Sequence, residues 1–404
     1  MGLFNRKPKE GSGDDSNNEK KSGWRRPANT AFKQQRLKAW QPILTPKTVL
    51  PTFFIIGIIF GPIGGLLIWG SSQVSEMTFD YTDCDRLTSG AAATTLPSNK
   101  YSYRLSSGNS DVTIVPPSYS FVNNTDSGNT TIPFDQLEQC TLEFDVPIDL
   151  KPSVFMYYKL TNFYQNHRRY VKSLNTDQLQ GKGGSVSTLD DSDCKPLGSR
   201  VDKDGTRKPI YPCGLIANSL FNDSYTNIVL TNPAGGSTVE QRYNFTDKGI
   251  AWPGESKKYV TTTVPSGYSN YSDILPPPNW EKKYPNGYSE DLHPNLEEDE
   301  HFQNWMRTAG LPTFTKLYFR NDNETMAKGR YRVTIGMNFP VSSYKGTKSI
   351  VISTVSWVGG KNPFLGWAYV GAAGLFVLLA IAGLARHLIK PRRLGDMSLL
   401  SWNR

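Results

Sequence analysis

Histidine and cysteine are both scarce, with 4 of each among 404 residues. The histidines His167, His293, His301 and His387 show neither the H-E-x-x-H pattern nor another ligand spacing, which argues against metal-dependent hydrolysis. The nucleophile elbow G-x-S-x-G is missing. A glycine-rich phosphate loop is missing too, because Gly359-Gly360-Lys361-Asn362 lacks the hydroxyl residue and the spacing. The acidic run Glu297-Glu298-Asp299-Glu300 reads as a solvated helix start, not as a pair of glycosidase carboxylates. The chain is therefore expected to be no enzyme and to need neither metal nor cofactor.

Charge is absent from two long stretches. Residues 49–69 and 364–385 carry no Asp, Glu, Lys, Arg or His, and each is long enough to cross a hydrocarbon core of roughly 30 Å as a helix. Neither shows the polar stripe of a buried soluble helix. The first lies too far inside the chain, behind a charged tail, to be a cleaved signal peptide. Without charge, neither span can hold a proton relay by itself. The expected organisation is a cytoplasmic tail over 1–47, whose first part is disordered, a transmembrane helix over 48–72 and an extracytoplasmic domain over 73–361. A second transmembrane helix over 362–386 and a cytoplasmic tail over 387–404 follow.

What charge there is sits asymmetrically. Of 45 basic and 36 acidic residues, the first tail holds 11 and 4, residues 386–404 hold 5 and 1, and the middle is nearly neutral. Lys38 and Lys47 precede the first span, and Arg386, Lys390, Arg392 and Arg393 follow the second, so the positive-inside rule puts both tails in the cytoplasm. The net charge of +9 thus gives no case for nucleic-acid binding, and no such motif accompanies it. Six glycosylation sequons, at Asn123, Asn129, Asn222, Asn244, Asn270 and Asn323, all fall between the spans. So do Cys84, Cys140, Cys194 and Cys213; of three possible pairings, the sequential one, Cys84–Cys140 with Cys194–Cys213, closes the shorter loops.

Alternating apolar runs at 112–115, 141–146, 154–160, 314–319, 331–339 and 349–357, divided by Gly, Pro and Asn clusters, predict a mainly antiparallel β-sandwich with long loops. Residues 296–306 predict a short helix, while 177–191 and 232–236 read as loops. Gly57, Gly61 and Gly65 recur every fourth residue, which marks one helical face for close packing with another helix. Phe32, Leu37 and Trp40 interleave with Lys33, Arg36 and Lys38, a pattern suited to anionic lipid or to a partner's cytoplasmic face.

Four stretches carry a family resemblance: Asn29-Thr-Ala-Phe-Lys-Gln-Gln-Arg-Leu-Lys-Ala, Asn162-Phe-Tyr-Gln-Asn-His-Arg-Arg-Tyr-Val, Tyr211-Pro-Cys-Gly-Leu-Ile-Ala-Asn-Ser-Leu-Phe-Asn-Asp and Asn304-Trp-Met-Arg. With Asn279-Trp280 and Gly359-Gly360-x-Asn362-Pro363, in this order from residue 29 to the second span, the chain resembles the cell-cycle-control/ligand-effect-modulator (Cdc50/Lem3) family. The resemblance implies a non-catalytic β-subunit of a type IV P-type ATPase lipid flippase. Such a subunit forms an obligate heterodimer that moves phospholipids to the cytosolic leaflet, and supports the pump's folding, exit from the endoplasmic reticulum, localisation and phosphorylation cycle. The chain itself lacks the Asp-Lys-Thr-Gly phosphorylation motif; Tyr344-Lys345-Gly346-Thr347 has no aspartate. The resemblance implies residence in the endoplasmic reticulum, Golgi, endosomes or plasma membrane. Candidate partner contacts are Asn166, His167, Arg168 and Arg169 outside and Phe32, Arg36 and Trp40 inside. The rival reading is a stand-alone two-pass adhesion or receptor glycoprotein with a soluble ligand.

Overall fold

The structure is a computed structural model that describes residues 29–37, 44–106, 108, 112–125, 132–233, 239–260 and 264–391. Trp40, Lys38, Asn129, Arg392, Arg393 and the expected disordered tail lie outside the described residues. The chain divides into two compact units, one formed by residues up to Phe54 and from Leu379 onward, the other by Ile55–Leu378.

The helices are α1 (Pro46–Ser72), α2 (Arg168–Lys172), α3 (Thr176–Leu179), α4 (Val186–Asp191), α5 (Leu215–Asn218), α6 (Glu300–Met306) and α7 (Phe364–Ile389). Both α1 and α7 are long and apolar enough to cross a membrane. The strands begin with β1 (Glu76–Asp80), β2 (Thr94–Thr95), β3 (Tyr101–Arg104), β4 (Ser118–Asn123), β5 (Glu138–Val146) and β6 (Val154–Leu160). A hairpin of β7 (Ser199–Val201) and β8 (Arg207–Pro209) comes next, then β9 (Ser224–Tyr225), β10 (Val229–Leu230) and β11 (Gln241–Arg242). The long strands β12 (Phe314–Asn321), β13 (Gly329–Gly336) and β14 (Lys348–Thr354) complete the set.

All the ladders are antiparallel. One sheet runs β12-β6-β14-β1-β3; the other runs β11-β10-β13-β5-β4-β2, with β9 also on β13. Alternation decides the faces. Val154, Met156, Tyr158 and Leu160 of β6 are buried, while Phe155, Tyr157 and Lys159 between them stay half-exposed. The inward sets of the two sheets meet in one core, where Phe79 of β1 lies 4.6 Å from Phe144 of β5. A second aromatic cluster, with Tyr211, Tyr259, Trp280, Tyr284, Tyr288 and Phe302, packs the long connections. The disulfides are Cys84–Cys140 and Cys194–Cys213.

Several expectations need correction. Residues 112–115 form no strand: Pro116 and Pro117 follow them, and the ladder begins only at Ser118, where backbone N–H donors return. Residues 177–191 are not a plain loop, because they contain the end of α3 and the whole of α4. The side chains of Asn175 and Ser185 cap these turns by accepting from the Gln178 and Thr188 amides. In 296–306 only Glu300–Met306 is α-helical, started by Asp299, whose carboxylate accepts from Phe302 N at 2.9 Å. Strand β13 stops at Gly336 because the amides of Asn338 and Phe339 turn inward to a buried carboxylate.

Candidate interaction sites

The motif from Asn162 divides into two sets. Phe163 joins the core, 5.6 Å from the Trp305 ring, and Tyr170 is hydrogen-bonded to Ser219 at 2.7 Å. Gln165 is fully buried, and its Oε1 accepts from Ala309 N at 2.8 Å. Asn166, His167, Arg168 and Arg169, between these anchors, are all exposed. Asn166 Nδ2 donates to Gly310 O at 3.0 Å, and the exposed Tyr164 and Leu311 lie beside this pairing in sequence. The register fixes where the group stands. Leu160 of β6 pairs with Lys348, whereas Val154 pairs with Thr354, close in sequence to α7. Asn166–Arg169 therefore follow the strand end remote from the apolar helices. Six residue steps of strand correspond to about 20 Å.

The motif from Tyr211 is structural. Gly214 has φ 102, and a Cβ there would lie 2.2 Å from Ser173 O, so the turn into α5 accepts only glycine. The carbonyls of α5 then receive two indoles: Trp305 Nε1 donates to Ile216 O at 2.8 Å and Trp280 Nε1 to Ala217 O at 2.9 Å. The end of this motif supplies Asp223, a buried hub. Its carboxylate accepts from Lys348 Nζ at 2.7 Å, Tyr81 OH at 2.9 Å and the amides of Asn338 and Phe339 at 2.6 Å each. Burial, with Asp223 and Tyr225 alongside, pushes the Tyr81 hydroxyl well above its ordinary pKa. Lys348 was legible in principle: it falls in phase with the inward Ile350 and Ile352 of β14.

A second buried lysine, Lys316, donates to the carbonyls of Asn304 at 2.6 Å and Trp305 at 3.3 Å and to that of Arg307, closing the C-terminal turn of α6. Burial, with Arg307 nearby, pushes its pKa down to about 7. Lys361, just before α7, donates to Val74 O at 2.6 Å and Leu105 O at 3.0 Å, tying the exit of α1 to the approach of α7. Its pKa is lowered by burial and by Arg104.

The three glycines of α1 do not form one packing face within this chain. A Cβ on Gly57 would lie 2.6 Å from Val377 Cγ2, so Gly57 faces α7. Gly61 and Gly65 have nothing within 4 Å. The inward position is instead Gly64, where a Cβ would lie 2.9 Å from both Gly366 O and Val370 N. Two turns of helix bring residues seven apart back to one side, so Gly57 and Gly64 line the seam. Phe60 adds ring contacts to Tyr369 at 5.0 Å and Phe376 at 6.4 Å.

The remaining sequence candidates are dispersed. Phe32 and Arg36 are exposed on a turn. Sequons Asn244, Asn270 and Asn323 are exposed, and Asn123 and Asn222 are half-buried. Among the described residues no group of three or more His, Cys, Asp or Glu could hold a metal ion.

Two apolar helices bracketing a disulfide-linked antiparallel sandwich define a membrane-anchored β-rich domain. The chain belongs to the LEM3 (ligand-effect modulator 3)/CDC50 family, whose model matches residues 67–393. It is 42% identical, over 94% of its own length and 89% of the relative's, to the phospholipid-transporting ATPase accessory subunit CRF1 of Saccharomyces cerevisiae. Identity is 39% to the phospholipid-transporting ATPase accessory subunit CDC50 of Chaetomium thermophilum, over 96% and 94% of the two chains. It is also 39% to the mouse cell cycle control protein 50A, over 88% of each. The chain is a membrane protein.

Proposed function

We infer that the chain is the non-catalytic accessory subunit of a type IV P-type ATPase that translocates phospholipids to the cytosolic leaflet. The observation that carries this reading is the 42% identity to an ATPase accessory subunit along almost the whole of both chains. The partner is the catalytic ATPase, in an obligate heterodimer, and the chain supports its folding, export from the endoplasmic reticulum, localisation and transport cycle. Both termini are cytoplasmic, as the flanking Lys47, Arg386 and Lys390 favour, and the sandwich is lumenal or extracellular. Residence is in the endoplasmic reticulum, Golgi, endosomes or plasma membrane.

Contacts divide between compartments. Gly61 and Gly65, open on α1, offer close approach to a helix of the pump. Phe32, Arg36 and Trp40 serve the cytoplasmic side. Asn166, His167, Arg168 and Arg169 would meet extracytoplasmic loops only if these rise to the far end of the sandwich. Sugars at the six sequons cover part of the outer surface. Purification of the tagged chain in mild detergent tests the reading: stoichiometric co-elution of one large P-type ATPase, identified by mass spectrometry, is expected. A lone glycoprotein, found again after crosslinking in intact membranes, would overturn it.

A further inference from the structure

Asn222 opens the sequon Asn222-Asp223-Ser224 and lines a cavity of about 510 Å³ at the end of the sandwich remote from the apolar helices. Its walls join the β13–β14 connection, through Asn338, Pro340 and Tyr344, to Ser219, Pro278 and Asn279 of the long loops. Three buried polar atoms around it have no hydrogen-bond partner: Asn222 Oδ1, Asn338 Nδ2 and Tyr344 OH. Buried polar groups are seldom left unmade, and together these three comprise a carbonyl acceptor, an amide donor and a hydroxyl that does both. The surroundings hold them in place. The Asn338 backbone N–H donates to Asp223, and the Tyr344 ring stands 5.4 Å from Phe163. A cavity of this volume is within the range of about 300–1,000 Å³ seen for small-molecule sites. The rings of Phe163, Phe339 and Tyr344 beside many hydrogen-bonding side chains suit a sugar, which presents C–H faces and hydroxyls together.

We propose that this cavity seats the first sugars of the chain attached to its own Asn222, with Asn338 Nδ2 and Tyr344 OH bonding to the acetamide or hydroxyl groups. The proposal rests on glycosylation of Asn222. The glycan is then a packed part of the sandwich, unlike those on the exposed Asn244, Asn270 and Asn323.

The test uses the full-length glycoprotein in detergent, digested under native conditions with an amidase that releases N-glycans. Each sequon is followed by mass spectrometry against a denatured control. Release at Asn222 is expected to be at least about tenfold slower than at Asn244, Asn270 and Asn323. The double variant Asn338→Ala/Tyr344→Phe, which leaves the sequon and the Asn338 backbone amide in place, should bring Asn222 toward the others without altering their rates. An unmodified Asn222 in the denatured control would overturn both the seat and the glycosylation reading beneath it. Modification with release as fast as elsewhere would overturn the seat alone and leave the cavity to water. Slow release unchanged by the double variant would assign the protection to local burial and also overturn the seat.

Discussion

Removing the carboxylate at the buried hub is the perturbation with the largest expected effect. Asp223→Ala keeps the sequon but strips a partner from Lys348, whose side chain is 4% exposed, while that of Asp223 is 0% exposed. The ammonium keeps Phe339 O at 2.8 Å, which does not neutralise its charge. Breaking one side of a buried ion pair costs about 3–5 kcal/mol, and the stripped amides of Asn338 and Phe339 move the cost toward the upper figure. At about 2–4 °C per kcal/mol for domains of 150–250 residues, the melting temperature should fall by about 6–20 °C. The assay is thermal unfolding of the purified protein in detergent, followed by tryptophan fluorescence. Lys348→Met should cost less, and the double variant should recover about 1 kcal/mol or more relative to the sum, since neither charge is then left buried alone. A loss below about 1 kcal/mol for Asp223→Ala, or strict additivity in the double variant, would refute the hub as an ion pair that the core depends on.

Further outcomes follow from other sites. Gly64→Leu must push α1 from α7, because its Cβ meets backbone atoms of Gly366 and Val370, and should lower the melting temperature; Gly61→Leu should not. If Gly61 faces the pump, Gly61→Leu should still weaken co-elution of the ATPase, and full stoichiometry would remove that contact. For Lys316 the folded group, near 7, releases its proton before the unfolded one, near 10.5, so the unfolded state binds more protons between them. Stability should therefore rise from about pH 7 toward pH 10 in denaturant titrations, and Lys316→Met should flatten that dependence. Loss of Cys194–Cys213, which joins residues 19 apart, should cost about 3 kcal/mol, and loss of Cys84–Cys140, 56 apart, about 4 kcal/mol by chain entropy. Glycan maturation and surface delivery of Cys213→Ser and Cys84→Ser would check the order; normal export of both would refute it.

The strands that could be read ahead were those whose side chains alternate without interruption. Val154–Leu160 matches its expected limits because every second residue enters the core. Residues 112–115 alternate equally well, but Pro116 and Pro117 keep the chain out of the ladder until Ser118. The short helices α3 and α4 show no apolar periodicity because they bury only Gln178, Leu179 and Leu189; their sequence signals are the caps Asn175 and Ser185. On α1 the four-residue spacing of Gly57, Gly61 and Gly65 is visible in the sequence, whereas the role of Gly64 appears only when α7 is set beside it. The Asn162 and Tyr211 motifs were visible as motifs. Their division into packed and exposed residues was not, because Gln165, Ala309, Trp305 and Ile216 meet across 89 to 144 positions of sequence.

The position of β14 has a consequence for how the protein is made. It is the last strand among the described residues, yet it lies in the middle of its sheet, between β6 and β1. On the proposed topology, β1 and β6 have no common neighbour in their sheet until residue 354 has crossed the translocon. Long-range pairing of this kind is slow and leaves hydrophobic edges open during synthesis. On that topology the sheet closes only after almost all of the domain has been made, with the first helix alone anchored. If the earlier sequons carry sugars, as proposed, lectin chaperones and the ATPase would both have time to engage it before the sandwich shuts.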